Sequence, residues 1–144
     1  MSSSGHHRLI LHVDGGSRGN PGPAGYGVVA CDAAGAVLER LQAAVGVQTN
    51  NFAEYSGLIA GLRYALERGA AEVTVYADSE LMVRQMQGRY AVKSANLMPL
   101  FEQASELARR LPRFRIEHVR RERNREADRL ANLAMDLAGG EARR

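Results

Sequence analysis

A mixed five-stranded α/β sheet, three antiparallel strands followed by two parallel ones and flanked by helices, is the fold class that the sequence predicts. Two features of the 144-residue chain lead there. Its first third carries three strand-like segments joined by turn residues, and each later strand-like segment is reached through a helix. Hairpins join antiparallel neighbours, whereas a strand reached through a helix pairs parallel by a right-handed crossover. The length suits one domain, expected over residues 8–138, with a disordered tail at 1–7 and a frayed tail at 139–144.

Taken in order, Arg8 to Asp14 alternates, with Leu9, Leu11 and Val13 on one face and Ile10, His12 and Asp14 on the other. Both faces look buried, as in a central strand. After the Gly- and Pro-rich stretch Gly15 to Gly25, Tyr26 to Cys31 and Val37 to Val47 read as strands joined by a turn at Asp32 to Gly35. From Ala53 to Glu67 the period is helical, and Gly69 supplies a stop. Val73 to Asp78 is the fourth strand, and a short helix begins near Ser79. Gly88 to Met98 shows no clear period. A helix from Pro99 to Leu111, a strand from Arg115 to Val119 and a helix from Asn124 to Ala138 complete the order.

Composition removes several classes of function. The apolar runs stop short of the ~18 to 20 residues needed to cross a bilayer. The opening MSSSGHH lacks the apolar centre of a secretory signal, and the lone Cys31 cannot close an intramolecular disulfide. A cytoplasmic monomer is expected. The formal charge is only +3, but Arg109, Arg110, Arg113, Arg115, Arg120, Arg121, Arg123, Arg125 and Arg129 fall in one stretch. That cluster suits a polyanion, and equally a solvated helix face neutralised by Glu117, Glu122, Glu126 and Asp128.

The carboxylates are more telling. Asp14 and Asp78 each end an apolar run, and in neighbouring parallel strands both emerge at the sheet edge where open α/β sheets place ligands. At about 100° per residue, Glu54 falls in line with Leu58, Gly61 and Ala65, on the buried side of its helix. Asp128 sits in the first turn of the last helix, beside the stripe Ala127, Ala131 and Ala134. Any one of these acids alone reads as a turn residue, a cap or a partner of a helix dipole. Four at one place repel one another unless a cation holds them, and oxygen-only donors select Mg²⁺ or Mn²⁺ over zinc.

Four segments then carry a resemblance: DGGSRGNPGPAGYG from Asp14, TNNFAEYSGLIAGL from Thr49, ADSE from Ala77 and RERNREADRLANLA from Arg121. In order and spacing the chain resembles type 1 ribonuclease H from about Arg8 to Ala138, which implies the ribonuclease H-like fold. The resemblance implies an endonuclease that hydrolyses the RNA strand of RNA/DNA hybrids with two Mg²⁺ or Mn²⁺ ions. The products would carry 5′-phosphate and 3′-hydroxyl ends. It assigns catalysis and metal binding to Asp14, Glu54, Asp78 and Asp128, the four that the pattern selects, and substrate binding to Gly15, Gly16, Asn20, Thr49, Asn50 and Asn51. Asn20 and Thr49 would help hold a DNA phosphate. Asn50 and Asn51 would lie against the minor groove, where 2′-hydroxyls distinguish RNA from DNA. Gly, Pro and Asn are also ordinary turn formers.

The sequence departs from the family pattern in three places. Many members have a histidine in a longer loop before the last helix, where this chain has Arg120, Arg121, Glu122 and Arg123. Glu122 and Arg123 are the candidates for its auxiliary role, and His118, falling inside the fifth strand, is expected to be structural. A basic extra helix that grips hybrid in some members is missing, since Gly88 to Met98 carries only Arg89 and Lys93. Glu80 stands where others often have glutamine, and its role is open. Activity on double-stranded RNA is open as well. The competing readings are a DNA-cutting nuclease and a non-catalytic nucleic-acid-binding module on the same fold. The second should have lost an acid, and this chain has all four.

Overall fold

The structure, a computed structural model, describes residues 7–142. Its strands are β1 (Arg8–Ser17), β2 (Gly22–Asp32), β3 (Val37–Gln48), β4 (Glu72–Ala77) and β5 (Arg113–His118). Its helices are α1 (Asn50–Glu67), α2 (Glu80–Met86), α3 (Met98–Arg109) and α4 (Arg125–Ala142), with a single 3-10 turn at Arg121–Arg123. The five strands form one sheet in the order β3-β2-β1-β4-β5. β2 pairs antiparallel with β1 and β3, and the β1–β4 and β4–β5 pairs are parallel, as expected.

Central β1 alternates its side chains between two cores. Leu9, Leu11 and Val13 are buried under Tyr55, Leu58 and Leu62 of α1, with Val73 and Val75 of β4 beside them. On the opposite face Ile10 joins Val29 and Cys31 of β2 beneath Ala127 and Leu130 of α4. Each fully buried leucine contributes about 1.5–3 kcal/mol. α4 lies so close to β2 that a Cβ on Gly27 would come 2.4 Å from the carbonyl oxygen of Ala127 and 2.5 Å from the Leu130 Cβ. Glycine in the strand and alanine in the helix therefore fix the height of α4 over the sheet, and with it the position of Asp128.

The boundaries differ from expectation in informative ways. β1 continues three residues beyond Asp14, because Gly15, Gly16 and Ser17 pair with Tyr26, Gly25 and Ala24. The Gly-rich stretch is thus mostly ladder, and Asp14 does not end its strand. α1 begins at Asn50 with the Thr49 hydroxyl accepting from the Phe52 amide, so the polar residues read as loop form its first turn. His7, assigned to the disordered tail, accepts hydrogen bonds from the Ala71 and Glu72 amides. The last helix runs past Ala138 to Ala142. The rest of the expected tails, residues 1–6 and 143–144, lies outside the described residues. Among the described residues no helix is long and apolar enough to cross a membrane.

Candidate active site

The parallel β1–β4 ladder ends at the pair Val13–Ala77, so the next residues, Asp14 and Asp78, leave it side by side. Asp14 stays within the β1–β2 ladder opposite Gly27, which holds it rigidly at 8% exposure. The Gly15 amide donates to its Oδ1 at 2.9 Å. Gly15 itself has no room for a side chain, since a Cβ there would meet the Ala53 carbonyl and the Glu54 amide at 2.6–2.7 Å. That close approach lets α1 carry Glu54 down beside Asp14. Asp128, half-buried in the first turn of α4, arrives from the opposite face of the sheet. All four acids line one open cleft of about 610 Å³.

Electrostatics in the cleft are severe. Burial first, then the charge of Asp78 and contacts with the carboxyls of Asp128 and Asp78, push Asp14 up to about 9. Burial also raises Glu54, to about 8, with Asp78 adding to the effect and the Ser79 hydroxyl opposing it. Glu54 Oε1 is buried without a hydrogen-bond partner. A buried carboxylate oxygen left bare is costly, and divalent cations would satisfy it while removing the repulsion. Among the described residues no three acidic, histidine or cysteine side chains close round one point as a ready-made cage. The donors are ranged along the cleft in neighbouring pairs. The all-oxygen set fits hard cations that keep part of their water shell, as Mg²⁺ does.

Asn50 and Asn51 also line the cleft, with Gly15 and Gly16. Asn20 and Thr49 do not reach it. Asn20 Oδ1 accepts from the Asn50 amide at 3.0 Å, and Asn50 Oδ1 accepts from the Ser17 amide at 2.8 Å. Asn20 thereby braces the Asn50 backbone, while Thr49 caps α1. Glu122 and Arg123 are exposed on the 3-10 turn and lie outside the cleft lining, whereas Arg121 lines it, with Nε 3.6 Å from Asp78 Oδ2. His118 corrects a second expectation: it is the exposed last residue of β5. Glu80 lines the cleft and pairs with Arg84 at 3.3 Å.

Sequence reasoning also missed Asn124. It is 1% exposed, and its side-chain amide donates to the Val13 carbonyl at 2.8 Å. An asparagine just before a helix signals a cap, and nothing local marks it as a tie to the first strand. Arg18 is a further omission. It reaches from the cleft rim to Asp136 and to Asn132 Oδ1, each at 3.0 Å, and so ties the β1–β2 hairpin to α4.

Comparisons with known proteins agree with this geometry. A family model termed reverse transcriptase-like matches residues 12–134. The bifunctional protein Rv2228c of Mycobacterium tuberculosis is 52% identical over 94% of this chain, which spans 37% of that relative's length. Ribonuclease HI of Halobacterium salinarum is 37% identical over 91% of the chain and 66% of its own length. The solved N-terminal RNase H domain of Rv2228c superposes with a TM-score of 0.91 at 51% identity, covering 94% of this chain and 98% of that one. LC11-RNase H1, solved in complex with RNA/DNA hybrid, gives 0.85 at 44% identity, covering 90% and 98%. With the fold, the motif order and these relatives in agreement, the chain belongs to the ribonuclease H family, in its type 1 branch.

Proposed function

We propose that the chain is an endonuclease that hydrolyses the RNA strand of RNA/DNA hybrids, leaving 5′-phosphate and 3′-hydroxyl ends. The observation that carries this is the buried, partnerless Oε1 of Glu54 on a cleft shared with Asp14, Asp78 and Asp128. The complex of LC11-RNase H1 with RNA/DNA hybrid supports the choice of substrate.

In this reading Asp14, Glu54, Asp78 and Asp128 hold two divalent cations, Mg²⁺ or Mn²⁺. Such ions supply charge neutralisation, Lewis-acid polarisation of the phosphate and a water acidic enough to attack at neutral pH. The protein's own part is positional. Asp14 is locked in the sheet, Glu54 is set by the close packing of α1 on Gly15, and Asp128 is set by the packing of α4 on Gly27. Asn50 and Asn51 face the minor groove and read 2′-hydroxyls, with Gly15 and Gly16 leaving room for the strand. Asn20 and Thr49 shape that surface from behind, and any phosphate they hold lies beyond the cleft. The auxiliary role expected of Glu122 and Arg123 passes to Arg121, whose guanidinium is placed to steady Asp78 and a neighbouring phosphate. The cleft is complete within one chain, which supports action as a monomer.

The test is incubation of end-labelled hybrid, double-stranded RNA and double-stranded DNA with the protein, in chelator and in Mg²⁺ or Mn²⁺. Cutting confined to the RNA strand of the hybrid and dependent on the cation is expected. Equal cutting of double-stranded DNA would replace this reading with a DNA nuclease, and binding without any cutting would replace it with a non-catalytic module.

A further inference from the structure

A second open groove, of about 570 Å³, lies between α2 and the edge strand β5. It shares both walls with the catalytic cleft. Along α2, Ser79 to Leu81 line the cleft, and Arg84, Met86 and Gln87 line the groove. Along β5 and the turn after it, Arg115 to His118 line the groove and Arg121 lines the cleft. The segment that joins them carries Arg120, exposed and without an acidic partner among the described residues. From Glu80 to Gln87 the helical rise is about 10 Å. That is about three nucleotides of one duplex strand.

We propose that this groove and Arg120 form a phosphate track that holds the duplex flank on one side of the cleft. The proposal rests on the hybrid reading for the identity of its ligand. The track's cations are Arg84, Arg115 and Arg120, joined by the His118 imidazole. The charges opposing them are Glu80, 3.3 Å from Arg84, and Glu117, paired with Arg115. Both pairs are largely exposed and weak, so a guanidinium can exchange its carboxylate for a phosphate at little cost. Gln87 Nε2 donates to the Ile116 carbonyl at 2.8 Å, which keeps the groove floor closed against an added β-strand and favours a backbone of phosphates over a peptide. A grip here also answers how a chain with only Arg89 and Lys93 between α2 and α3 holds hybrid.

The experiment uses Arg115→Ala/Arg120→Ala in two arms. In chelator, binding to a 20-base-pair hybrid is followed against salt. Loss of one phosphate contact lowers the slope of log K against log salt by about 0.9, and K itself roughly tenfold at 0.1 M salt. In Mg²⁺, duplex DNA with one four-ribonucleotide patch fixes the register, and flanking base pairs are added on one side or the other. The variant should lose KM on one flank only, with kcat unchanged. An unchanged salt slope, or equal loss on both flanks, overturns the track. If the slope falls but the wild-type protein cuts neither substrate, the track stands and the hybrid-cutting reading fails. If the wild type cuts and the slope is unchanged, only the track fails.

Discussion

The side-chain amide of Asn124 donates a 2.8 Å hydrogen bond to the carbonyl of Val13, the residue before Asp14. The Asn124 carbonyl in turn accepts from the Asp128 amide at 3.0 Å. Two carboxylates that arrive on different elements are therefore spaced by one buried residue. Its Oδ1 lies 3.3 Å from Nδ1 of His12, which stacks on Tyr76 at 5.6 Å.

Asn124→Ala leaves the Val13 carbonyl without its donor. A cost of about 1–3 kcal/mol is expected from thermal melts. The larger signature should be in cation affinity, since Asp128 loses its fixed distance from Asp14. A Mg²⁺ titration of activity in the variant should be right-shifted, with turnover partly restored at high Mg²⁺. An unshifted titration would leave Asn124 a purely structural residue.

Asp14 and Glu54 make stability depend on pH in a stated direction. Their folded values, about 9 and about 8, lie above the ordinary carboxylate range, so between those limits the folded chain holds more protons than the unfolded one. Stability is fully present below the ordinary value and is lost as pH rises toward 8–9. Asp14→Asn removes the charge and keeps the volume. It should abolish cutting yet raise the melting temperature in chelator, by about 1–3 kcal/mol equivalent near pH 8 and by little near pH 4. Saturating Mg²⁺ should stabilise the wild type and not the variant. Near-normal turnover of Asp14→Asn in Mg²⁺ would remove Asp14 from the metal site.

Packing at the sheet face gives a sharp contrast between two glycines. Gly27→Ala sets a methyl 2.4 Å from the Ala127 carbonyl oxygen and 2.7 Å from the Ala131 amide, so the backbone of α4 must move. A loss of about 3 kcal/mol or more is expected, together with loss of activity through Asp128. Gly140→Ala, where a Cβ meets nothing within 4 Å, should be neutral or stabilising by up to about 1 kcal/mol. Chemical denaturation of both variants checks the pair.

Sheet topology was legible because each strand carries a period-two pattern and each crossover a helical one. The four acids were legible because each interrupts an apolar pattern at a place where interruption is costly. What stayed hidden depends on partners far away in sequence. β1 passes Asp14 because β2 keeps offering a ladder opposite Gly15 to Ser17, although glycine is a poor strand former. Arg121, unlike Glu122 or Arg123, enters the cleft because of the phase of one 3-10 turn, which an Arg-rich run does not encode. Asn124 reads as a cap until Val13 is placed beside it.

Arg121 can be separated from its neighbours by kinetics. If its guanidinium steadies Asp78 and a phosphate, Arg121→Ala should lower kcat by roughly 10²-fold, within the range of an auxiliary group and far from the loss at a metal ligand. Arg121→Lys keeps the charge and should recover part of it. Glu122→Ala and Arg123→Ala should change kcat by less than about threefold, since neither side chain lines the cleft. A ranking with Glu122 or Arg123 ahead of Arg121 would restore the assignment made from sequence.

Discrimination between RNA and DNA should reside in Asn50 and Asn51. Asn50 Oδ1 is occupied by the Ser17 amide at 2.8 Å and the Ser17 hydroxyl at 3.2 Å, so the part of Asn50 left for substrate is its NH₂ donor. A 2′-hydroxyl can accept from that donor, and a deoxyribose offers nothing in its place. Replacing a few consecutive ribonucleotides around a cut site with deoxynucleotides should therefore block cutting there. Binding should persist, because the phosphates that dominate affinity are unchanged. Asn50→Asp removes the donor and adds a repelling charge, and it should raise KM for hybrid while the cation titration stays in place. Raising salt should do the opposite of the deoxy patch, weakening binding on every duplex without changing which strand is cut. Cutting that continues through the deoxy patch would take strand choice away from the asparagines and assign it to duplex shape alone.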